Sequence, residues 1–405
     1  MRVGLLTTSF PRTPDDTAGS FVLGFARALI ERGASVEVLA PEPREGIAPM
    51  HERRLEVRHV RYLGHRSLQR TFYGAGVPDN LRRDPLAWLG LVPFTVALAH
   101  HARKSREHWD AIVSHWALPC ALVAGHAAQT RPHLAVLHSA DVHVLSRLPN
   151  RAYWAQCIAR GSNALWFVTR SHRERFLELL PECEREPVRS RTLVAPMGID
   201  LPDIAADREQ ARRELGLSRF SVLALGRLVP VKGIDVLLRA SRDRPWTLLI
   251  AGDGPERSRL EAEARRLRVD ARFFGEVANP QKSLLLTAAD VFALPSRVLP
   301  SGRSEGSPVA LLEAMACGLP TVGSAVGGIA ELLPQNDSAG LLVPADQPES
   351  LANALERLRL DDALRSNMGR RARELAAEHR WSRTIEPALS VLSASQRQPL
   401  ISATP

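Results

Sequence analysis

Short apolar runs alternate with longer stretches of helical period along nearly the whole chain, and that rhythm predicts parallel sheets built from βαβ units. In the first half the runs fall at residues 3–7, 36–40, 55–60, 111–115, 134–138, 165–168 and 192–195. In the second half they fall at 221–225, 247–251, 272–275, 291–294, 321–324 and 340–343. The first run leads through a loop rich in Pro, Asp, Thr and Gly to a helix at 21–32, closed by Gly33. Around Pro196-Met197-Gly198-Ile199-Asp200-Leu201-Pro202 the rhythm breaks, and the charged stretch 207–214 opens a new helix, so the domain boundary belongs there. The pattern implies an α/β protein with two doubly wound, Rossmann-like domains and a central cleft between them, at residues 1–198 and 199–382. A helix at 383–396 is expected to return to the first domain, and residues 397–405 are expected to be disordered.

One stretch of the second half stands out, from Arg303 to Pro320. Ser307 has the chemistry of an N-cap, Pro308 suits a first helical turn, and Gly318 with Pro320 supplies the stop, which predicts a helix over 308–317. Glu305 falls in the loop ahead of it, and Glu313 lies about 7.5 Å along the axis at a rise of roughly 1.5 Å per residue. Between the two acids sits a helix N-terminus, whose N–H groups and dipole favour an anion. A ligand matching that order carries a hydroxyl-rich group, then phosphate, then a second hydroxyl pair, as a nucleotide sugar does. A capped surface helix with two solvated acids is the plainer reading of the same spacing.

Other loops sharpen the choice. The run at 221–225 is followed by Gly226-Arg227-Leu228-Val229-Pro230-Val231-Lys232-Gly233, where glycines let backbone approach a ligand and two cations can neutralise a diphosphate. The spacing is not that of a Walker A loop; alone, the segment also reads as a Gly-bounded turn. Gly252-Asp253-Gly254-Pro255 and Ala18-Gly19-Ser20 are tight glycine turns after strands, each able to offer backbone to a phosphate or to serve only as a turn. His138, at a strand's carboxyl end in His138-Ser139-Ala140-Asp141, is a candidate for hydroxyl contacts or proton transfer, or a structural histidine. His115 and Trp116 end the preceding strand.

Composition changes this picture little. The formal charge is +9, yet Lys104, Lys232 and Lys282 are the only lysines, and the arginines are spread along the chain rather than gathered in a nucleic-acid patch. No nucleic-acid partner is expected; a basic face toward an acidic substrate or an anionic membrane remains open. The four cysteines form no CxxC pair, which fits a reducing cytoplasm and no disulfide framework. The N-terminus lacks the apolar core of a signal peptide. Residues 86–99 are the most apolar stretch, short of the roughly 20 a spanning helix needs, and read as a buried helix with monotopic contact as the alternative. Residues 64–83 read as loop-rich, a common setting for acceptor recognition. No Asp-x-Asp and no metal-ligand spacing occurs, so neither metal nor cofactor is expected.

Assembled, these residues resemble glycosyltransferase family 4, retaining nucleotide-sugar enzymes of GT-B architecture. The resemblance rests on Gly226-Arg227-Leu228 with Lys232-Gly233, on Gly252-Asp253-Gly254-Pro255, on Glu305 with Glu313, and on Glu313 to Pro320, Val326-Gly327-Gly328-Ile329 and Trp381. In the first half it rests on Ser9-Phe10-Pro11, Gly19-Ser20-Phe21-Val22, Arg32-Gly33 and His138 to Asp141. It implies that Arg227 and Lys232 bind the donor diphosphate, with Gly226, Gly254 and Gly19 offering backbone, and that Glu313 takes the ribose. Glu305 would lie beside the transferred sugar, with N–H groups from Gly306 to Val309, Ser307 among them, on its hydroxyls. Pro308 lacks one such donor, and His138 would contact the sugar. The first half departs from the family pattern at Ala18 and at Ser139-Ala140. The expected activity is metal-independent transfer of a hexosyl unit from a nucleoside diphosphate sugar, UDP-sugar favoured, to a hydroxyl acceptor in glycan, glycolipid or natural-product synthesis, with peripheral membrane contact as a further option. A nucleotide-sugar epimerase or hydrolase of the same fold, and a non-catalytic binding subunit, are the alternatives.

Overall fold

The computed structural model describes residues 1–14, 16–44, 52–74, 76–200 and 207–394; the tail expected to be disordered lies outside them. The chain forms two compact units, one of Met1–Gly198 with the segment that starts at Trp381, the other of Ile199–Arg380. The first is built on strands β1 (Arg2–Leu6), β2 (Ser35–Pro41), β3 (Leu55–Val60), β4 (Ala111–His115), β5 (His133–Leu137), β6 (Ala164–Phe167) and β7 (Thr192–Val194). They lie parallel in the order β3-β2-β1-β4-β5-β6-β7. The second is built on β8 (Phe220–Leu225), β9 (Trp246–Ala251), β10 (Ala271–Gly275), β11 (Val291–Leu294), β12 (Thr321–Ser324) and β13 (Gly340–Val343), parallel in the order β10-β9-β8-β11-β12-β13.

Both orders follow from covered parallel sheets. Leu5, Val38, Val113 and Val136 in the first unit, and Leu223, Leu249, Phe292 and Val322 in the second, are wholly buried because helices lie on both faces of each sheet. In each unit the order reverses once, between β1 and β4 and between β8 and β11. There, connections leaving adjacent strands run to opposite sides and open a crevice at the carboxyl ends.

The last segment docks on the first unit through Trp381. Its ring fills the space a side chain would take at Gly24 and Gly198, whose built Cβ atoms would come 2.3 and 2.5 Å from it. Phe25 meets the same indole edge-on, at 5.9 Å between centroids.

Two expectations need correction. The helix predicted over 308–317 is Val309–Ala316, and its cap position is Pro308, not Ser307. Pro308 has ψ near 88°, outside the helical range, and a proline also drives the residue before it toward extended backbone, so neither residue joins the first turn. The apolar stretch 86–99 is a 3₁₀ turn, Pro85–Gly90, followed by a helix, Leu91–Ser105, and only one side of it is buried. Ala87, Phe94, Leu98 and Ala102 enter the core, whereas Trp88, Leu89, Val92 and Val96 stay exposed. The stretch 64–83 holds two short helical pieces, Arg66–Leu68 and Val77–Arg83, around the buried Phe72 and Tyr73.

Candidate functional site

In the second unit the crevice between β8 and β11 is walled by the loops leaving those two strands. The loop after β8 makes a 3₁₀ turn, Pro230–Lys232, that aims Lys232 at the loop after β11. Lys232 Nζ lies 2.9 Å from Glu305 Oε2, with side chains only 16% and 11% exposed. Ser296, two residues past β11, donates its hydroxyl to the same oxygen at 3.0 Å. Burial pushes the Glu305 carboxyl up, but the Lys232 ammonium, the Ser296 hydroxyl and the field of Arg227 outweigh it and hold the group below its ordinary value. Glu305 is therefore a carboxylate at neutral pH, and Lys232 is held in one place by it. Arg227 stands exposed on the same loop.

Glycines fix this geometry where a side chain could not fit. A Cβ at Gly252 would lie 1.9 Å from the Gly226 carbonyl oxygen, and the Gly226 N–H donates to Ala251 O at 2.9 Å, so the two glycine loops predicted separately form one interlocked unit. Gly254 packs likewise against the Leu228 carbonyl. Gly327, at φ +49°, lets the chain pass the Glu305 carbonyl, which accepts the Gly328 N–H at 3.2 Å.

Glu313 lies one helix turn beyond Val309 and pairs with Lys282 rather than with the glycine loop, Nζ to Oε1 at 2.8 Å. Lys282 belongs to the helix Gln281–Ala288, which follows β10. Sequence reasoning missed this partner, although the scarcity of lysine marked it: two of the chain's three lysines each hold one of the two acids. Ser296 carried no such mark. At the helix start, Val309 donates its N–H to the Ser307 carbonyl at 3.1 Å, while Gly306 is buried behind Glu305.

In the first unit the crevice lies beside β1 and β4. Gly19, in the left-handed region at φ 71°, precedes the helix Ser20–Glu31 and packs on the Ser9 carbonyl. His138, following β5, is boxed by Phe21 at 5.0 Å and Trp116 at 4.4 Å between centroids, and its Nε2 lies 3.2 Å from His115 Nδ1. Burial, with a contribution from His172, lowers its pKa to about 3, so the imidazole is neutral at physiological pH. Asp141 holds the backbone here, accepting N–H bonds from Ala117 at 2.8 Å and His138 at 3.1 Å. Burial raises its pKa to about 7 against those bonds. Trp116 itself is held at φ 82°. Among the described residues no group of three or more His, Cys, Asp or Glu is placed to hold a metal ion.

Residues 207–375 match the family model described as Glycosyl transferases group 1. A D-inositol 3-phosphate glycosyltransferase of Kineococcus radiotolerans is 28% identical over 415 aligned residues, which cover 92% of this chain and 88% of that one. Sucrose-phosphate synthase from Thermosynechococcus elongatus superposes with a TM-score of 0.73 at 22% identity, covering 96% of this chain and 97% of that one. Anabaena Alr3699/HepE in complex with UDP-glucose does so at 0.69 and 19%, covering 96% and 99%. Two doubly wound units with this likeness define the GT-B fold. The protein is a glycosyltransferase related to the group 1 family, and it transfers a sugar from a nucleoside diphosphate sugar to an acceptor hydroxyl.

Proposed function

We propose that the protein is a retaining hexosyltransferase of the family 4 type that uses a UDP-sugar. The observation that carries this reading is the Lys232–Glu305 pair at the crevice between β8 and β11, one loop ahead of the helix Val309–Ala316. In this reading the donor diphosphate takes Lys232 and Arg227 as its counter-cations and the helix start as its anion site, which stabilises the leaving nucleotide as charge develops on it. Glu305, a carboxylate freed in part from Lys232, then accepts hydrogen bonds from the sugar hydroxyls. Glu313, oriented by Lys282, accepts from the ribose, and the loops at Gly226 and Gly254 give the nucleotide room. His138 and Gly19 take the sugar and phosphate contacts of the first unit; a neutral His138 can donate or accept a hydrogen bond without carrying charge. The acceptor hydroxyl attacks from the side the diphosphate leaves, and the departing phosphate oxygen takes its proton, so no separate general base is required.

The complex of Alr3699/HepE with UDP-glucose supports the choice of UDP and of a hexosyl unit. The curated relative is named for D-inositol 3-phosphate, which makes a phosphorylated polyol one acceptor to try beside glycan and lipid-linked hydroxyls. The four unpaired cysteines fit work in the cytoplasm. The test is a panel of UDP-, GDP- and ADP-hexoses with and without these acceptors, with the anomeric configuration of the product read by proton NMR. Nucleotide release that requires acceptor and gives the donor's own anomer is the expected result. An inverted product, or release indifferent to acceptor, contradicts it.

A further inference from the structure

The helix Leu91–Ser105 is apolar on both sides, and the core uses only one of them. Phe94, Leu98 and Ala102 are wholly buried, so the helix cannot leave the first unit to cross a bilayer without emptying that core. The opposite stripe runs Leu89, Val92, Val96, His100, Arg103 at the three- and four-residue spacing of one helix face. Val92 is 72% and Val96 64% exposed, and Leu86, Trp88 and Leu89 extend the apolar end through the preceding 3₁₀ turn. Five large apolar side chains gathered on one face need a partner.

The charge around them says which. Arg82, Arg83, Arg103 and Lys104 are exposed along the same stretch, and two grooves beside the helix are lined by Arg61, His100 and His101 on one side and by Arg103, Arg106 and His126 on the other. Asp79 is paired with Arg82, Asp84 with Arg70, Glu107 with Arg106 and Arg131, and Arg61 with Glu42, so the surplus positive charge is that of Arg83, Arg103 and Lys104. A second copy seated on this face by two-fold symmetry would bring arginines against arginines. An anionic surface with an apolar interior meets both halves of the pattern.

We propose that the exposed face of Leu91–Ser105, with Leu86, Trp88 and Leu89, docks the protein on anionic lipid bilayer, apolar side chains entering the interface and the flanking arginines and lysine meeting lipid phosphates. The helix lies in the plane of the membrane. The proposal is independent of the identity of donor and acceptor.

Co-sedimentation of the full chain with vesicles tests it. The wild type is expected to bind phosphatidylcholine vesicles containing phosphatidylglycerol, to bind pure phosphatidylcholine far less, and to be released by high salt. Val92→Glu/Val96→Glu, at positions too exposed to matter for folding, is expected to weaken binding by about tenfold or more, with UDP binding and melting temperature unchanged. Arg103→Glu/Lys104→Glu is expected to remove the preference for the anionic lipid. No binding by the wild type, equal binding by the valine variant, or a wild-type dimer in light scattering that the valine variant abolishes would each overturn the proposal.

Discussion

At the scale of single residues, donor binding as proposed turns on one cation held by one carboxylate. On the proposed reading, removing Lys232 takes away a counter-charge to the leaving nucleotide, and it also strands Glu305 in a nearly buried site; the two effects separate. Lys232→Ala is expected to lower kcat by on the order of a hundredfold and to lower the melting temperature, because an uncompensated buried charge is costly. The double variant Lys232→Ala/Glu305→Gln should recover the melting temperature and leave the rate low; recovery of both would make the pair purely structural. The histidines give a second residue-scale test. His138 and His172 have pKa values lowered to about 3 and about 4 by burial, against an ordinary 6.5. Their contribution to stability is full above the unfolded value and is lost as pH falls through the folded ones. Asp141, raised to about 7, acts in the opposite sense, so the contribution of His138 is read as a difference between variants. The wild type should lose more stability than His138→Asn between pH 6 and pH 4 in thermal melts, and its kcat/KM should show no limb near pH 6.5 from His138.

At the scale of elements, backbone approach decides what fits. A methyl group at Gly327 would sit 2.2 Å from the Glu305 carbonyl oxygen, at a φ of +49° that side chains rarely adopt. Gly327→Ala is therefore expected to displace the Glu305 loop and weaken nucleotide binding by about tenfold, at a strain cost of roughly 1–3 kcal/mol, measurable by calorimetry and melting. Lys282→Ala leaves Glu313 without its orienting partner; KM for the donor should rise about tenfold with kcat nearly kept, the sign of lost ground-state binding. This is also the scale at which the sequence was most and least readable. Strand positions were legible because a parallel strand covered on both faces is a largely apolar run: β4, β11, β12 and β13 coincide with their predicted spans, and so does the edge strand β3, although its middle residues face outward. The start of the helix Val309–Ala316 was misplaced by one residue because Ser307 and Pro308 each suit a helix start, and only the backbone angles show that both stay outside it. The stretch 86–99 was read as a buried helix because its composition is almost wholly apolar; which side meets the core depends on Phe72 and Tyr62, outside the stretch. That Lys232 and Glu305 serve one ligand was expected from the family resemblance, and their direct contact was not anticipated. Lys282 was marked only as one of three lysines, which did not name Glu313 as its partner.

For the molecule as a whole, the proposed reading gives side chains the charge-neutralising part that a divalent ion could otherwise take. Lys232 and Arg227 come from one loop on the crevice that also holds Glu305, so transfer is expected to run at the same rate in EDTA as in magnesium, and strict metal dependence would contradict that division of charge. The net charge of +9 serves two distant purposes in this account, a local grip on diphosphate in the second unit and a basic rim on the exposed helix of the first. The central claim is the grip, and calorimetric titration of UDP and uridine into the wild type and the Lys232→Ala variant measures it most directly. The account predicts that UDP affinity falls at least about tenfold in the variant while any binding of uridine is unchanged, because only the phosphates meet Lys232. Equal UDP affinity in the two proteins would contradict it.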